Sequence, residues 1–361
     1  MLVRSYRSKS QSRSLAFAAC VLLALTAPAL AGKAATFVGL GFLNSSIPVS
    51  ESPQLDSNGT VVVGDSYIGE SQSEAYSWTR SGGIVGLGLL SNANLSFALG
   101  VSGEGSTIVG ESGTTSVQKA FLWSQKKGMA ALGSGTDWHH SSATATDDNG
   151  SVIVGTLNDQ AFRWTKSGGA VGLGFLSGST GVSDATGTDA AGDVVVGYSS
   201  ATGGGHEAFY WTSNLGMVGL GQLSAGASSY ATAVSADGNT VVGYSSGATE
   251  TAFYWTVLTG LHSLNAPKNA PFTNANGVSQ NGSIIVGCAR SNPNKKSSIA
   301  EAVQWDNGTV QKISAIVAKY GISLTGWSLT CATSISADGK SIAGNGVDPA
   351  GHQEAWLFQV E

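Results

Sequence analysis

Apolar positions in this chain fall in short β-branched or alternating runs, each bounded by turn residues. That is a strand pattern. The stretch 231–264 is among the clearest. Ala233-Val234-Ser235 alternates and leads into the turn sequence Ala236-Asp237-Gly238-Asn239. Thr240-Val241-Val242-Gly243 is β-branched, Thr251-Ala252-Phe253-Tyr254-Trp255 alternates again, and Leu258-Thr259-Gly260-Leu261 returns the chain. Four short strands in about 45 positions is the content of one propeller blade.

The unit recurs seven times. A turn glycine stands five residues before a strand-ending glycine at Gly59/Gly64, Gly105/Gly110, Gly150/Gly155, Gly192/Gly197, Gly238/Gly243, Gly282/Gly287 and Gly339/Gly344. Successive units are 46, 45, 42, 46, 44 and 57 residues apart, so a fixed core carries variable connections. Three residues before each turn glycine stands Asp56, Ser102, Asp147, Asp189, Ser235, Ser279 or Ser336. Such a side chain is expected to cap backbone amides two or three residues ahead. The turn glycine supplies φ > 0, and the strand-ending glycine is expected to admit a neighbouring strand or ring.

The third strand starts at Ala75, Ala120, Ala161, Ala208, Ala252, Ala302 or Ala355, with Trp78, Trp123, Trp164, Trp211, Trp255, Trp305 or Phe358 three residues later. A second large residue stands two positions before each of these, on the same strand face, and both read as core. After the last repeat the chain has no room for a fourth strand. Phe37-Val38-Gly39-Leu40-Gly41-Phe42-Leu43 reads like Val85-Gly86-Leu87-Gly88-Leu89-Leu90 and is a spare fourth strand at the other end. The expected fold is all-β: one seven-bladed β-propeller over 32–361, its four-stranded last blade closed by the N-terminal strand.

Residues 1–31 read as a signal peptide. Arg4, Arg7, Lys9 and Arg13 form a basic region, Leu15 to Leu25 an uncharged apolar run, and Ala29-Leu30-Ala31 a cleavage site. The apolar run is shorter than the roughly 20 residues of a membrane span, so the expectation is a secreted chain, periplasmic or extracellular, with no membrane insertion. Cleavage removes four basic residues and takes the net charge from −5 to −9. An acidic chain whose remaining arginines are Arg80, Arg163 and Arg290 argues against nucleic acid as a partner. Charged residues make up 11%, against roughly 25% in an ordinary domain, and Gly, Ser, Thr and Asn are expected to supply the polar surface. The two cysteines beyond the signal, Cys288 and Cys331, lie near the upper rim of adjacent blades and are a candidate disulfide.

The motif Ser235-Ala236-Asp237-Gly238-Asn239-Thr240-Val241-Val242-Gly243 followed by Ala252-Phe253-Tyr254-Trp255-Thr256 resembles the HAF family of bacterial extracellular repeats. The resemblance spans 36–361. It implies an exported, often surface-associated protein without an established biochemical activity. No translocating barrel or sorting tail is read after the last repeat, and a freely soluble domain is expected.

Candidate chemistry is sparse. The longer connections, between second and third strands and between blades, share one face, here called upper. They carry Asp137-Trp138-His139-His140, His206-Glu207, the stretch 289–299 and His352-Gln353-Glu354. Trp138 suits sugar stacking, but adjacent histidines in a strand point to opposite faces and disfavour a shared metal. Arg290, Lys295 and Lys296 mark the one basic cluster, a contact for an acidic polysaccharide. The candidate ligand-binding residues are therefore Asp137, Trp138, His139, His140, His206, Arg290, Lys295 and Lys296, with no cofactor or metal. The function expected first is non-catalytic binding of a polysaccharide or other surface ligand on the upper face. Second comes a scaffold or adhesin that contacts an envelope protein through a flat apolar patch. Third comes a hydrolase, which would need carboxylates such as Glu104, Asp137, Glu207 and Glu354, or a metal, to converge at the channel.

Overall fold

The computed structural model describes residues 34–133, 138, 140–292 and 300–361. The signal segment therefore lies outside the described residues. Seven blades follow one another around a central channel. Blade 1 is β2 (Ser50–Leu55), β3 (Val61–Gly69), β4 (Gln72–Thr79) and β5 (Gly83–Gly86). Blade 2 is β6 (Leu95–Val101), β7 (Ile108–Gly113), β8 (Gln118–Ser124) and β9 (Gly128–Ala131). Blade 3 is β10 (Ser141–Thr146), β11 (Val152–Leu157), β12 (Gln160–Thr165) and β13 (Gly169–Gly172). Blade 4 is β14 (Ser183–Thr188), β15 (Val194–Ser200), β16 (His206–Thr212) and β17 (Gly216–Gly219). Blade 5 is β18 (Ser228–Val234), β19 (Thr240–Ser246), β20 (Glu250–Thr256) and β21 (Gly260–Ser263). Blade 6 is β22 (Phe272–Val278), β23 (Ile284–Arg290), β24 (Ala300–Asp306) and β25 (Thr309–Lys312). Blade 7 is β26 (Ser328–Ile335), β27 (Ser341–Val347) and β28 (Gln353–Val360), and its outer strand is β1 (Ala35–Gly39).

The ring closes as expected: β1 pairs antiparallel with β28, Phe37 opposite Phe358. Before the last blade the chain forms a short helix, α1 (Ile313–Lys319), which buries Ile313 and Val317.

Apolar clusters fill the gaps between successive blades. The cluster between blades 2 and 1 packs Phe121 and Ile108 on Val63, Ala75 and Leu87. Phe121, Phe162, Phe209 and Phe253 are wholly buried, each contributing about 1.5–3 kcal/mol of transfer free energy. The third-strand tryptophans divide: Trp78 and Trp305 are buried, whereas Trp123, Trp164, Trp211 and Trp255 are half-buried.

All seven turn glycines have positive φ, from 69° to 75°. The Ser/Asp cap reaches further than the expected two or three residues. Asp147 accepts from the amides of Ser151 at 2.7 Å and Val152 at 3.0 Å. Ser235 accepts from Thr240 at 2.9 Å. The side chain therefore closes the whole turn and pins the start of the second strand. At the strand-ending glycine of blade 5, a Cβ on Gly243 would collide with the carbonyl of Tyr230 and the ring of Phe253.

One expectation about composition is corrected. Many serines are not surface residues. Ser96, Ser141, Ser183 and Ser229 are buried and accept from the amides of Ala75, Ala120, Ala161 and Ala208 in the preceding blade, each at 2.9 Å. A buried hydroxyl needs a partner, and here the partner is the neighbouring blade.

Candidate functional site

First strands line the channel, a cavity of about 500 Å³. Each of these strands carries a bulge at the same level. The register shifts between Ala143 and Ala145, Ala185 and Gly187, Ala231 and Ala233, Ala275 and Gly277, and Ala332 and Ser334. A bulge leaves one residue unpaired and re-aims its side chain. Thr144, Thr186 and Thr232 use that freedom to donate to Ala185 O at 2.6 Å, Ala231 O at 2.9 Å and Ala275 O at 2.7 Å in the next blade. Asn276 donates to Ala332 O at 2.9 Å, and Thr333 donates to Pro53 O at 2.5 Å. Pro53 and Leu99 hold the corresponding places in blades 1 and 2. At the lower end, turn amides bond around the ring, for example Ala337 N to Ser57 O at 2.9 Å and Asp148 N to Ala190 O at 3.1 Å. These channel polar groups are thus spent on joining blades.

The upper mouth differs. The residue after each strand-ending glycine stands at this mouth, and in blades 2, 3, 4, 6 and 7 it contacts the first strand of the next blade. These residues are Asp65, Glu111, Thr156, Tyr198, Tyr244, Cys288 and Asn345. Around the mouth, Glu111 bonds Ser142, and Thr156 donates to Asp184. Tyr198 packs edge-on against Tyr230, with ring centres 5.1 Å apart. Cys288 and Cys331 form a disulfide between blades 6 and 7, with Cα atoms 4.6 Å apart. Asn345 Oδ1 accepts from Ser52 N at 3.1 Å.

The densest part lies on blades 4 to 6. Tyr230 and Tyr244 stack at 5.0 Å, and His206 lies edge-on to Tyr198 at 5.3 Å with its Nδ1 3.2 Å from the Tyr230 hydroxyl. Tyr198 donates to Asp184 at 3.1 Å. On the far side Arg290 pairs with Glu250 at 2.5 Å and donates to Asn274 at 3.2 Å. Three tyrosines and a histidine thus form one aromatic ladder, with carboxylates at one end and an ion pair at the other.

Burial sets the titration of this rim. It raises Asp65 from 3.8 to about 6, with the hydrogen bond from Ser73 opposing and Glu51 reinforcing the shift. Burial likewise raises Glu111, with Asp184 adding to the effect across blade 3. Asp184 is raised by burial despite its bonds from Thr156 and Tyr198. Tyr244 is raised by burial, then by Tyr230 and Glu250.

Of the residues singled out from sequence, the structure brings His206 and Arg290 into this rim. Trp138 is half-buried and packs edge-on against Phe162 at 5.7 Å. His140 is exposed beside Gln118 on blade 3's inner side. Asp137, His139, Lys295 and Lys296 lie outside the described residues. Glu207 and Glu354 accept from the amides of Gly221 at 2.9 Å and Gly41 at 2.8 Å, so both close turns in blades 4 and 7. Glu104 sits in a lower turn, bonded by its amide to Asp148 O. Among the described residues no group of three or more His, Cys, Asp or Glu is placed to hold a metal.

Sequence reasoning missed Asp184, Tyr198, Tyr230 and Tyr244. For Tyr198 and Tyr244 the usable signal was variability: the position after the invariant glycine holds Asp, Glu, Thr, Tyr, Tyr, Cys and Asn in turn.

No family profile matches the sequence, and no curated protein matches it. Among solved structures the chain is similar to an oligogalacturonate lyase from Vibrio parahaemolyticus, at 9% identity over 90% of this chain and 97% of that one, with a TM-score of 0.57. It is also similar to the β-propeller domain of Cps50 (Swd1) from Myceliophteria thermophila, at 13% identity over 86% and 96%, with a TM-score of 0.52. These likenesses show the β-propeller fold and nothing finer.

Proposed function

We propose that this is an exported, non-catalytic binding protein of the HAF type that holds a polysaccharide on the upper face of the propeller. The observation that carries the reading is the ladder of Tyr198, His206, Tyr230 and Tyr244 at the channel mouth. Half-buried aromatic faces supply apolar area for sugar rings, and flanking carboxylates and amides accept and donate to hydroxyls. The ladder displaces Trp138 as the stacking element, because that ring is committed to Phe162.

The acidic rim shifts the ligand away from the acidic polysaccharide first expected. Glu51, Asp65, Glu111 and Asp184 have no cation within 4.0 Å among the described residues, so a neutral glycan fits better. The scaffold reading is less well supported on this face. The large exposed apolar residues, Val85, Val171, Leu215, Val218, Val257 and Leu258, lie on outer strands and lower turns.

A screen of the chain without residues 1–31 against a glycan and bacterial polysaccharide array tests the reading. The expected result is retention of a neutral glycan that is lost in Tyr230→Ala and kept in His140→Ala. Equal retention by both variants sinks the assignment of the site, and no retention by folded protein moves the function to a protein partner.

One observation favours a second reading. Glu111 and Asp184 are both raised by burial and interact across blade 3, Glu111 bonded by Ser142 and Asp184 by Thr156. Two carboxyls in one cleft are the equipment of a glycosidase. Release of new reducing ends from a retained glycan, abolished in Asp184→Asn, would make this an enzyme.

A further inference from the structure

The channel wall carries more than the bonds that join its blades. Six threonines stand on it, and each hydroxyl has given its proton away. Thr144, Thr186, Thr232 and Thr333 donate to carbonyls of the next blade. Thr146 and Thr188 donate within their own blades, to Val152 O at 2.7 Å and Val194 O at 2.8 Å. A hydroxyl has one proton but two lone pairs. What these six oxygens offer a ligand is therefore acceptors. The side-chain donors left on the wall, on Gln54, Gln280, Asn345 and Ser334, are all neutral, and no Lys, Arg or His stands there among the described residues.

The floor of the cavity carries a charge. Asp148 stands one residue past the cap in blade 3, where the other blades have Ser, Gly, Ala or Gln. Its side chain crosses Gly103 of blade 2 and accepts from Ser57 Oγ of blade 1 at 2.9 Å. A Cβ on Gly103 would strike Asp148 Oδ1, so that glycine leaves the room the carboxylate occupies. The second oxygen, Oδ2, has no partner among the described residues, and no cation lies within 4.0 Å. The other two acids on the wall are spent as caps. Asp56 accepts from the amides of Thr60 and Val61, and Asp189 from those of Asp193 and Val194. One residue before each cap the wall divides. Leu55, Val101, Val234, Val278 and Ile335 form an apolar arc, and Thr146 and Thr188 of blades 3 and 4 complete the ring.

We propose that the channel binds a small aliphatic amine, with its ammonium on Asp148 Oδ2 and the threonine oxygens and its alkyl body against the apolar arc. An ammonium has three donors and no acceptor. It complements a wall whose hydroxyl protons are spent. A carboxylate on the floor, with no cation on the wall, selects a cation over an acid. The apolar arc requires a hydrocarbon body, which a metal ion lacks, and each methylene it buries adds about fourfold in affinity. The uncompensated carboxylates at the mouth, Glu51, Asp65, Glu111 and Asp184, draw a cation toward the channel. The site lies below the aromatic ladder and does not depend on the reading of the upper face.

Isothermal titration of the chain without residues 1–31 tests this at about pH 7.5, where an alkylamine is protonated. The probes are butylamine, methylamine, butanol and tetramethylammonium. Butylamine is expected to bind at least about tenfold more tightly than each of the other three, which lack in turn the alkyl body, the charge and the N–H donors. Asp148→Asn, which keeps an acceptor for Ser57 and removes the charge, is expected to lose about tenfold or more. Val278→Thr, which keeps the shape of the arc and makes it polar, is expected to lose about threefold or more. Asp193→Asn removes a charge from an exposed lower turn outside the cavity wall and is expected to bind like the unaltered protein. The proposal is overturned if butylamine does not bind, if methylamine or butanol binds as tightly, if Asp148→Asn or Val278→Thr binds like the unaltered protein, or if Asp193→Asn loses as much as Asp148→Asn. Tetramethylammonium binding as tightly also overturns it, and moves the cation to the faces of the aromatic ladder.

Discussion

Replacing Asp65 by asparagine should make the protein more stable at neutral pH, and the structure gives the size of the effect. Asp65 is 5% exposed at the mouth of blade 1. Its carboxylate accepts from Ser73 Oγ at 3.0 Å, while Glu51 stands opposite it in the ladder and no cation compensates either charge among the described residues. Burial raises its pKa from 3.8 to about 6. The folded state therefore binds the proton more tightly than the unfolded chain does. The group's contribution is fully present below about pH 4 and is lost as pH rises through about 6. A shift of about two units corresponds to roughly 3 kcal/mol lost at pH 7. Asparagine carries no charge to bury but must satisfy an extra N–H pair, so the expected gain is about 1–3 kcal/mol near pH 7.5. Urea unfolding of both proteins from about pH 4 to about pH 8 reads it. Glu111, Asp184 and Glu354 shift in the same direction, so the difference between the two proteins isolates Asp65. A variant that is less stable at pH 7.5, or a gap that does not close toward pH 4, refutes the reasoning.

Other outcomes follow from the inter-blade contacts. Gly243→Ala forces a methyl into the Tyr230 carbonyl and should cost about 2–3 kcal/mol, seen as a lower urea midpoint. Thr232→Val removes the hydroxyl bonded to Ala275 O and Val242 O, and should cost about 1–2 kcal/mol in the same assay. Reducing the Cys288–Cys331 bridge should cost about 2–4 kcal/mol and lower Tm, yet leave the far-ultraviolet circular dichroism unchanged, because β1 and β28 still close the ring.

The architecture was legible because it rests on positions that repeat. The turn glycines, the strand-ending glycines and the Ala–Trp third strand each answer a local steric demand that recurs in every blade, and closure by an N-terminal strand, read at 37–43 and found at 35–39, followed from a missing fourth strand. What escaped reading acts between blades. Ser141 bonds Ala120, 21 residues away, and Ser229 bonds Ala208 at the same separation; nothing local distinguishes such a serine from a solvated one. The bulge that aims Thr144 at the next blade is likewise invisible in an alternating run. The mouth residues were hidden for the opposite reason. Glu111, Thr156, Tyr198 and Asn345 occupy one structural position with unrelated chemistries, so a search for recurrence passes over them. His206 and Arg290 were found because they stand at strand ends that border the upper connections.

Hydrogen–deuterium exchange of the chain without residues 1–31, with and without a polysaccharide retained on the array, tests the central claim most directly. The account predicts slowed exchange in peptides covering Asp184, Tyr198, Tyr230 and Tyr244, with the lower turns unchanged. Protection confined to the lower turns or the outer strands, with the mouth peptides exchanging as before, would contradict it.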